Sequence, residues 1–564
     1  MACRCILSVI PTMQTQKIHT LSIKNQIQPQ TRISSYKPNI WKYDDLLSLT
    51  TQYSKRKYQI EAEKLKEEVI SCKFSKSNTP VTLLELVDEI DKFGLTDYFD
   101  VETKAALEKT TTYMKSSNTK DNKDLYATAL CFRLLRQHGY YASQDMLKEL
   151  FDSKKISDTK TLLELVEGSY LGMDGENLLN DIRLFTTNNL MNTSFNKENL
   201  SNYFPLAWRV RWYDVRRHIT MFTQQGNNNN NNNTNQVLLN LAKLNFNIIQ
   251  ATHLKDLKDV IRWWRDLDIV EDLFFTRDRI VECFYFAGGI GSKPQHGSIR
   301  KWVTKVFQLV LIIDDVFDIY GSLADAQQFT HAINKWDPNE VKCLPECIQI
   351  CFRALYDTVE EISTEIDDQQ KGCQHSAFPC LKQGWLNFCK AMLVEAKWYN
   401  EGHIPTLEEY LNNGWISSTV PLLSDYVIYG LTNNKITNES LDSSKNFQEI
   451  VYHTSVIFRL CNDQGTSTAE LERGDVASSI ICYMQQENVS EDVAREHIES
   501  IILDSWKKIN YRFNTLSLSH REIAKYVINI ARMGHVMYQF GDGFGVQDGK
   551  TRDQILINLM EPIT

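Results

Sequence analysis

No run of about 18 consecutive apolar residues occurs in the 564-residue chain, so the sequence predicts no membrane span. A basic stripe is missing too. The formal net charge is −9, which sets aside a nucleic-acid partner. The 13 Cys are scattered, with no Cys-x-x-Cys pair of zinc-site spacing, and read as free, mostly buried thiols in a reducing compartment. Pro and Gly are scarce, at 12 and 23, and alternating runs bounded by Asn-Gly or Asp-Gly turns are rare, which argues against an all-β chain. Internal repeats of about 34 to 47 residues, which a helical scaffold protein would need, are absent. Asp and Glu are missing from the first 43 residues, which carry Arg4, Lys17, Lys24, Arg32, Lys37 and Lys42 among many Ser and Thr. That profile makes residues 1–31 either a short transit peptide or a plain disordered tail.

What is present is helical periodicity, from about residue 55 onward. Tyr58, Ala62, Leu65 and Val69 fall on one face among Lys and Glu, and Thr82 to Phe93 and Leu125 to His138 repeat the pattern. The fold class expected is all-α. Gly226 and seven consecutive Asn, Asn227 to Asn233, interrupt the periodicity with a tract that cannot bury a core. Apolar spacing resumes with Val237, Leu238, Leu241, Leu244 and Ile248. This length calls for at least two domains, so the boundary is placed near residue 236, giving 32–235 and 236–564.

Two constellations carry chemistry. In Leu-Ile-Ile-Asp-Asp-Val-Phe-Asp-Ile-Tyr-Gly, residues 311–321, Asp314 and Asp318 lie four apart and so on one helix face, with Asp315 on another. The run Val306 to Ile313 before them is apolar except for Gln308. Carboxylates on so apolar a helix repel and lose hydration unless a cation neutralises them, and magnesium takes a few carboxylate oxygens beside water and phosphate. Further on, Asn462, Thr466 and Glu470 are spaced i, i+4, i+8, one strip of hard oxygen ligands. Arg277, Arg279 and Arg459 are candidates to grip a diphosphate, since the guanidinium fork donates paired hydrogen bonds.

The aspartate motif at 314–318 and the Asn-Thr-Glu motif at 462–470 resemble the two metal-binding motifs of plant class I terpene synthases. Arg136-Gln137-His138-Gly139, Arg262-Trp263-Trp264 and Glu472-Arg473-Gly474-Asp475 extend the likeness, which runs from about Arg32 to the C-terminus. The resemblance implies two helical domains, with the active site in the C-terminal one. It implies a monomeric carbon–oxygen lyase that ionises a prenyl diphosphate with three magnesium ions, or manganese in their place. By it, Asp314 and Asp318 bind metal from one wall and Asn462, Thr466 and Glu470 from the other, while Arg277 and Arg459 hold the departing diphosphate. No Asp-x-Asp-Asp motif for protonation-initiated cyclisation occurs.

Monoterpene-forming members usually carry two Arg, eight residues and a Trp near the N-terminus. The matching residues here are Thr31, Arg32 and Trp41, so the first Arg is missing. That departure favours an acyclic product. The expectation is a plastid enzyme acting on geranyl diphosphate, the alternative a cytosolic, farnesene-like synthase acting on farnesyl diphosphate. Trp302, Phe307 and Trp415 are candidates to face the cation, and Trp415 to Val420 reads as a helix break facing the pocket. Tyr538 and Asp542 are candidates to take the final proton.

Overall fold

A computed structural model describes residues 38–75, 77, 79–116, 124–153, 156, 158–191, 204–226, 233–369, 376–431, 445–473, 477–547 and 549–564. Thr31, Arg32, Asn227 to Asn232, Gly474 and Asp475 lie outside these residues, as do the side chains of Glu470, Glu472 and Arg473. Among the described residues the chain is helical, with one isolated bridge between Gln539 and Gly541 and no strand.

The expected helices form where local chemistry starts them. Helix Pro80–Lys92 opens on a Thr79 capping box with Pro at its first position, and Asp124 caps helix Leu125–Gln137 through the Ala127 amide. In helix Arg56–Val69, Ala62 and Val69 are fully buried, as the periodicity requires. Helix Asn233–Asp266 starts on the last residue of the Asn tract and buries Leu238 and Leu241.

Arg136-Gln137-His138-Gly139 is a structural clasp. Arg136 forks onto Glu176 and donates to the Ala142 carbonyl, while Gln137 and His138 both reach Asp91, each at 2.7 Å. Burial raises the Asp91 carboxyl, but Arg211, His138 and Thr96 outweigh it and hold it well below the ordinary carboxylate range. Gly139, at φ +79°, offers its carbonyl to Arg521 of helix Leu518–Tyr538, 2.9 Å away. Trp208 stacks on His535 at 5.2 Å and on Trp506 at 5.8 Å, a second tie between the first half of the chain and the last helices.

Helix Ile280–Ile290 is buried at every residue, which marks it as the centre of the second half. It packs on helix Gly297–Asp315 and helix Leu518–Tyr538, and helix Lys445–Arg473 packs on the latter. The two chemical motifs therefore sit in one bundle, linked through helices Ile280–Ile290 and Leu518–Tyr538.

Candidate active site

Helix Gly297–Asp315 carries the first wall. After Asp315 it widens into a π-turn, Val316–Tyr320, closed by the Gly321 amide on the Val316 carbonyl at 2.7 Å. Asp314 is half-buried and Asp318 exposed, while Asp315 is fully buried. Asp315 Oδ2 accepts from the Arg277 backbone N–H at 2.9 Å and from its Nε at 3.2 Å. The same guanidinium reaches Asp314 Oδ2 at 2.5 Å and Asp315 Oδ1 at 2.9 Å. Burial pushes the Asp315 carboxyl up to about 6, with Arg277 opposing and Asp314 adding to it.

Gln308, the polar exception in the apolar run, fixes the Arg277–Arg279 segment. Its Nε2 donates to the Arg277 carbonyl at 2.7 Å and its Oε1 accepts from the Arg279 amide at 3.0 Å. Arg279 is buried and donates to the carbonyls of Phe544, at 2.9 Å, and Asp278, at 2.8 Å. Its guanidinium ties down the C-terminal loop 541–547.

The second wall is helix Lys445–Arg473. The Asn462 side chain lies near enough to the Tyr538 hydroxyl to favour its ionised form. Thr466 is buried, with Oγ1 donating to the Asn462 carbonyl at 2.9 Å. The adjacent Asp463 turns inward to Tyr410 Oη and the Ser479 amide, both 2.9 Å away. Between them Gly465 lets the turn come close: a Cβ there would lie 3.0 Å from Tyr538 Cβ and 3.1 Å from its carbonyl oxygen.

Tyr538 joins the walls. Its phenol is raised far above the ordinary range by burial and by Asp542, while Arg277 and Asn462 oppose and Asp314 adds to the rise. One hydroxyl thus senses both the Asp314–Arg277 side and the Asn462 side. Asp542 Oδ1 accepts from the Phe544 and Gly545 amides at 3.0 and 2.8 Å and shapes the turn beside it.

Arg459 lies one turn before Asn462 on that helix, and its guanidinium donates to Glu395 Oε1 at 3.1 Å and Ser417 Oγ at 2.5 Å. Ser417 ends helix Leu407–Ser417, and Thr419, at φ +71°, separates it from helix Val420–Leu431, the break that the sequence suggested. Below Tyr538, Phe286, Phe307, Phe458 and Phe544 form an aromatic box. Phe307 lies 4.6 Å from Phe286 and 4.8 Å from Phe544, and Phe458 lies 5.8 Å from Tyr538. Trp302 is outside it, its indole N–H spent on Glu365 at 2.6 Å, and Trp415 packs on Tyr452.

Comparison with known proteins agrees over nearly the whole chain. Residues 40–211 match the terpene synthase N-terminal domain, and residues 265–508 match the metal-binding domain of the terpene synthase family. An α-farnesene synthase of Ricinus communis is 43% identical over 98% of both chains. The (E,E)-α-farnesene synthase of Malus domestica is 41% identical over 96% of this chain and 97% of its own. The crystal structure of a limonene synthase with 2-fluorolinalyl diphosphate superposes with a TM-score of 0.86 at 34% identity, covering 95% of this chain and all of that one. This chain belongs to the terpene synthase family.

As a terpene synthase it is a carbon–oxygen lyase, and its catalytic-half fold is that of the class I enzymes. No helix among the described residues is long and apolar enough to cross a membrane. The synthase's oxygen donors suit a hard divalent cation. Among the described residues no cluster of three His, Cys, Asp or Glu makes a self-contained metal site. Asp314 and Asp318 are carried by helix Gly297–Asp315 and its π-turn, and Asn462 and Thr466 by helix Lys445–Arg473. Arg277 gives one positive charge to two carboxylates, Asp314 and Asp315, which leaves that pair negative. A poplar isoprene synthase, 35% identical with a TM-score of 0.81 over 93% of this chain and 99% of its own, was crystallised with three Mg2+ ions and dimethylallyl-S-thiolodiphosphate.

Sequence reasoning overlooked Asp315 as the anchor of Arg277, and Phe286, Phe458 and Phe544 as partners of Phe307. The lone Gln in an apolar run was the one visible signal for Gln308.

Proposed function

We propose that this synthase ionises farnesyl diphosphate and releases an acyclic, farnesene-type sesquiterpene. The observation that carries the reading is the Arg277–Asp314 pair on one wall and, on the other, the Gly465 turn packed against Tyr538 beside an aromatic box. The farnesyl chain length is favoured by the two full-length farnesene synthase relatives. The absent first Arg before Trp41 favours an acyclic product. A second reading, geranyl diphosphate to an acyclic monoterpene, is supported by relatives such as the myrcene synthase of Quercus ilex, named chloroplastic and 38% identical over 94% of this chain. With farnesyl diphosphate the enzyme belongs in the cytosol, with geranyl diphosphate in the plastid. The two-domain division near residue 236 belongs to the same proposal, with the catalytic unit after it.

In this reading Asp314 and Asp318 would hold magnesium from one wall, and Asn462, Thr466 and Glu470 from the other. Bound there, magnesium supplies the positive charge that stabilises a leaving diphosphate. Arg277, pinned by Asp315, sets a fixed guanidinium beside Asp314. Arg459 is the cation nearest Asn462 on the same helix and grips the anion with it. Because Asp315 and Gln308 fix Arg277 beforehand, little reorganisation remains when charge develops. The box of Phe286, Phe307, Phe458 and Phe544 excludes water and turns π faces to the allylic cation. Tyr538 stays protonated and serves as a donor, and Asp542 is the carboxylate placed to take the final proton.

The test is incubation of the full chain with magnesium and, separately, geranyl and farnesyl diphosphate, with volatiles read by gas chromatography–mass spectrometry. Acyclic fifteen-carbon hydrocarbon as the main output supports the proposal. Ten-carbon products from geranyl diphosphate alone transfer it to the second reading. No product from either overturns both.

A further inference from the structure

We infer that Glu282 is a positioning residue that latches the 38–43 strap to the 541–547 loop, so that the two segments are held as one unit beside the aromatic box. Glu282 is 2% exposed, in the first turn of the central helix Ile280–Ile290. A single oxygen, Oε1, accepts from Trp41 Nε1 at 2.8 Å and from Gln547 Nε2 at 2.6 Å. Gln547 then returns to the strap, its Oε1 accepting from the Ile40 amide at 3.0 Å and its Nε2 lying 3.4 Å from Asn39 Oδ1. Four residues back, Asp278 takes the rest of the strap. It accepts from the Tyr43 hydroxyl, from Asn39 Nδ2 at 3.1 Å and from Trp264 Nε1 at 3.0 Å.

The consequence runs inward through the loop. Its Phe544 carbonyl receives Arg279, and its Phe544 ring lies 4.8 Å from Phe307 and 6.1 Å from Tyr538. A shift of Gln547 therefore moves a wall of the aromatic box. Trp41 and Gln547 share one carboxylate oxygen, and Gln547 also accepts from the Ile40 amide beside Trp41, so the two segments share their anchors. Removing the Trp41 donor should weaken the hold on Gln547, although the two residues lie at opposite ends of the chain. Simple packing glue predicts loss at Trp41 alone.

The experiment has two readouts, and only the second rests on the proposed ionisation. First, amide hydrogen exchange is followed by mass spectrometry on the full-length protein and on Trp41→Phe, which keeps an aromatic ring and removes the donor. Exchange is expected to rise roughly tenfold in 541–547 as well as in 38–43. A rise confined to 38–43 overturns the latch. Gln547→Leu is expected to show the reciprocal effect in 38–43, and it keeps the test open if Glu282→Gln fails to fold. Second, with whichever prenyl diphosphate the wild type converts, the ratio of alcohol to hydrocarbon is expected to rise several-fold in Trp41→Phe, as water reaches the cation. An unchanged ratio in a variant whose loop has loosened overturns the water-excluding role. An inactive wild type would sink the proposed function, yet the exchange readout would still decide the latch.

Discussion

Asp315 and Asp314 are neighbours in sequence with different work. Asp315 is buried and spends both oxygens on Arg277, whereas Asp314 is half-open and shares the same guanidinium. Three substitutions separate these roles. Asp314→Ala, or Asp318→Ala, is expected to lower turnover by at least ~100-fold while the far-UV circular dichroism stays helical, because on the proposed function it removes a metal ligand from a solvent-facing edge. Wild-type turnover in either variant would remove the metal assignment. Asp315→Ala instead leaves a buried Arg with one carboxylate fewer, and a loss of about 3 kcal/mol in urea denaturation is expected alongside the loss of activity. Stability within about 0.5 kcal/mol of wild type would show that Asp315 anchors nothing. Asp314 and Asp318 were legible in the sequence as candidate ligands because a spacing of four on a helix suggests a shared face. Asp315 and Gln308 were not, since their partners lie some thirty to forty residues earlier and only the folded chain brings them close.

At the scale of elements, the helices were readable because their ends carry local chemistry. The expected Thr82 to Phe93 became Pro80–Lys92, with Thr79 and Pro80 setting its start. The break at 417–420 was visible as a run of hydroxyl residues. The π-turn after Asp315 was not, because it depends on where Gly321 meets the Val316 carbonyl rather than on any periodicity. Helix Lys445–Arg473 is placed against the Tyr538 turn by the absence of a side chain at Gly465. Gly465→Ala puts a methyl 3.0 Å from Tyr538 Cβ and 3.3 Å from the Gly541 carbonyl oxygen, so helix and turn must part by a few tenths of an ångström. The geometry of Asn462 and Thr466 moves with the helix, and overpacking of this kind costs about 1–3 kcal/mol. We expect turnover to fall roughly tenfold or more, with the substrate KM changed less than kcat. Unaltered kcat in a folded Gly465→Ala protein would show that this contact does not position the ligands.

Across the whole molecule, the two halves meet on buried aromatic surface that no local pattern announces, and His535 sits in the middle of it. Trp208 stacks on its ring, Trp506 lies beside it with Nε1 3.2 Å from its Nε2, and Cys461 Sγ lies 3.2 Å from its Nδ1. An indole N–H only donates, so Nε2 accepts and Nδ1 carries the proton towards the Cys461 sulfur. The ring is thus neutral, and burial, with Arg532 nearby, lowers its pKa to about 3. The sign follows from linkage. The unfolded chain takes up a proton near the ordinary histidine value of about 6.5 and the folded chain does not, so the stabilising contribution is intact above that value and is lost as pH falls towards about 3. Between pH 7 and pH 5 this one group should remove about 2 kcal/mol. The net slope of the protein is not the test, because Glu499, pushed up to about 8 by burial, and Asp315 act with the opposite sign over the same interval. The difference between proteins is. His535→Phe keeps a flat ring beneath Trp208 and beside Trp506 and has nothing to protonate. Its urea-denaturation free energy should therefore fall by about 2 kcal/mol less than that of the wild type between pH 7 and pH 5, whatever its stability at pH 7. Equal losses in the two proteins would mean that His535 can be protonated in the folded state at little cost, and that the aromatic joint between the halves is looser than its stacking implies.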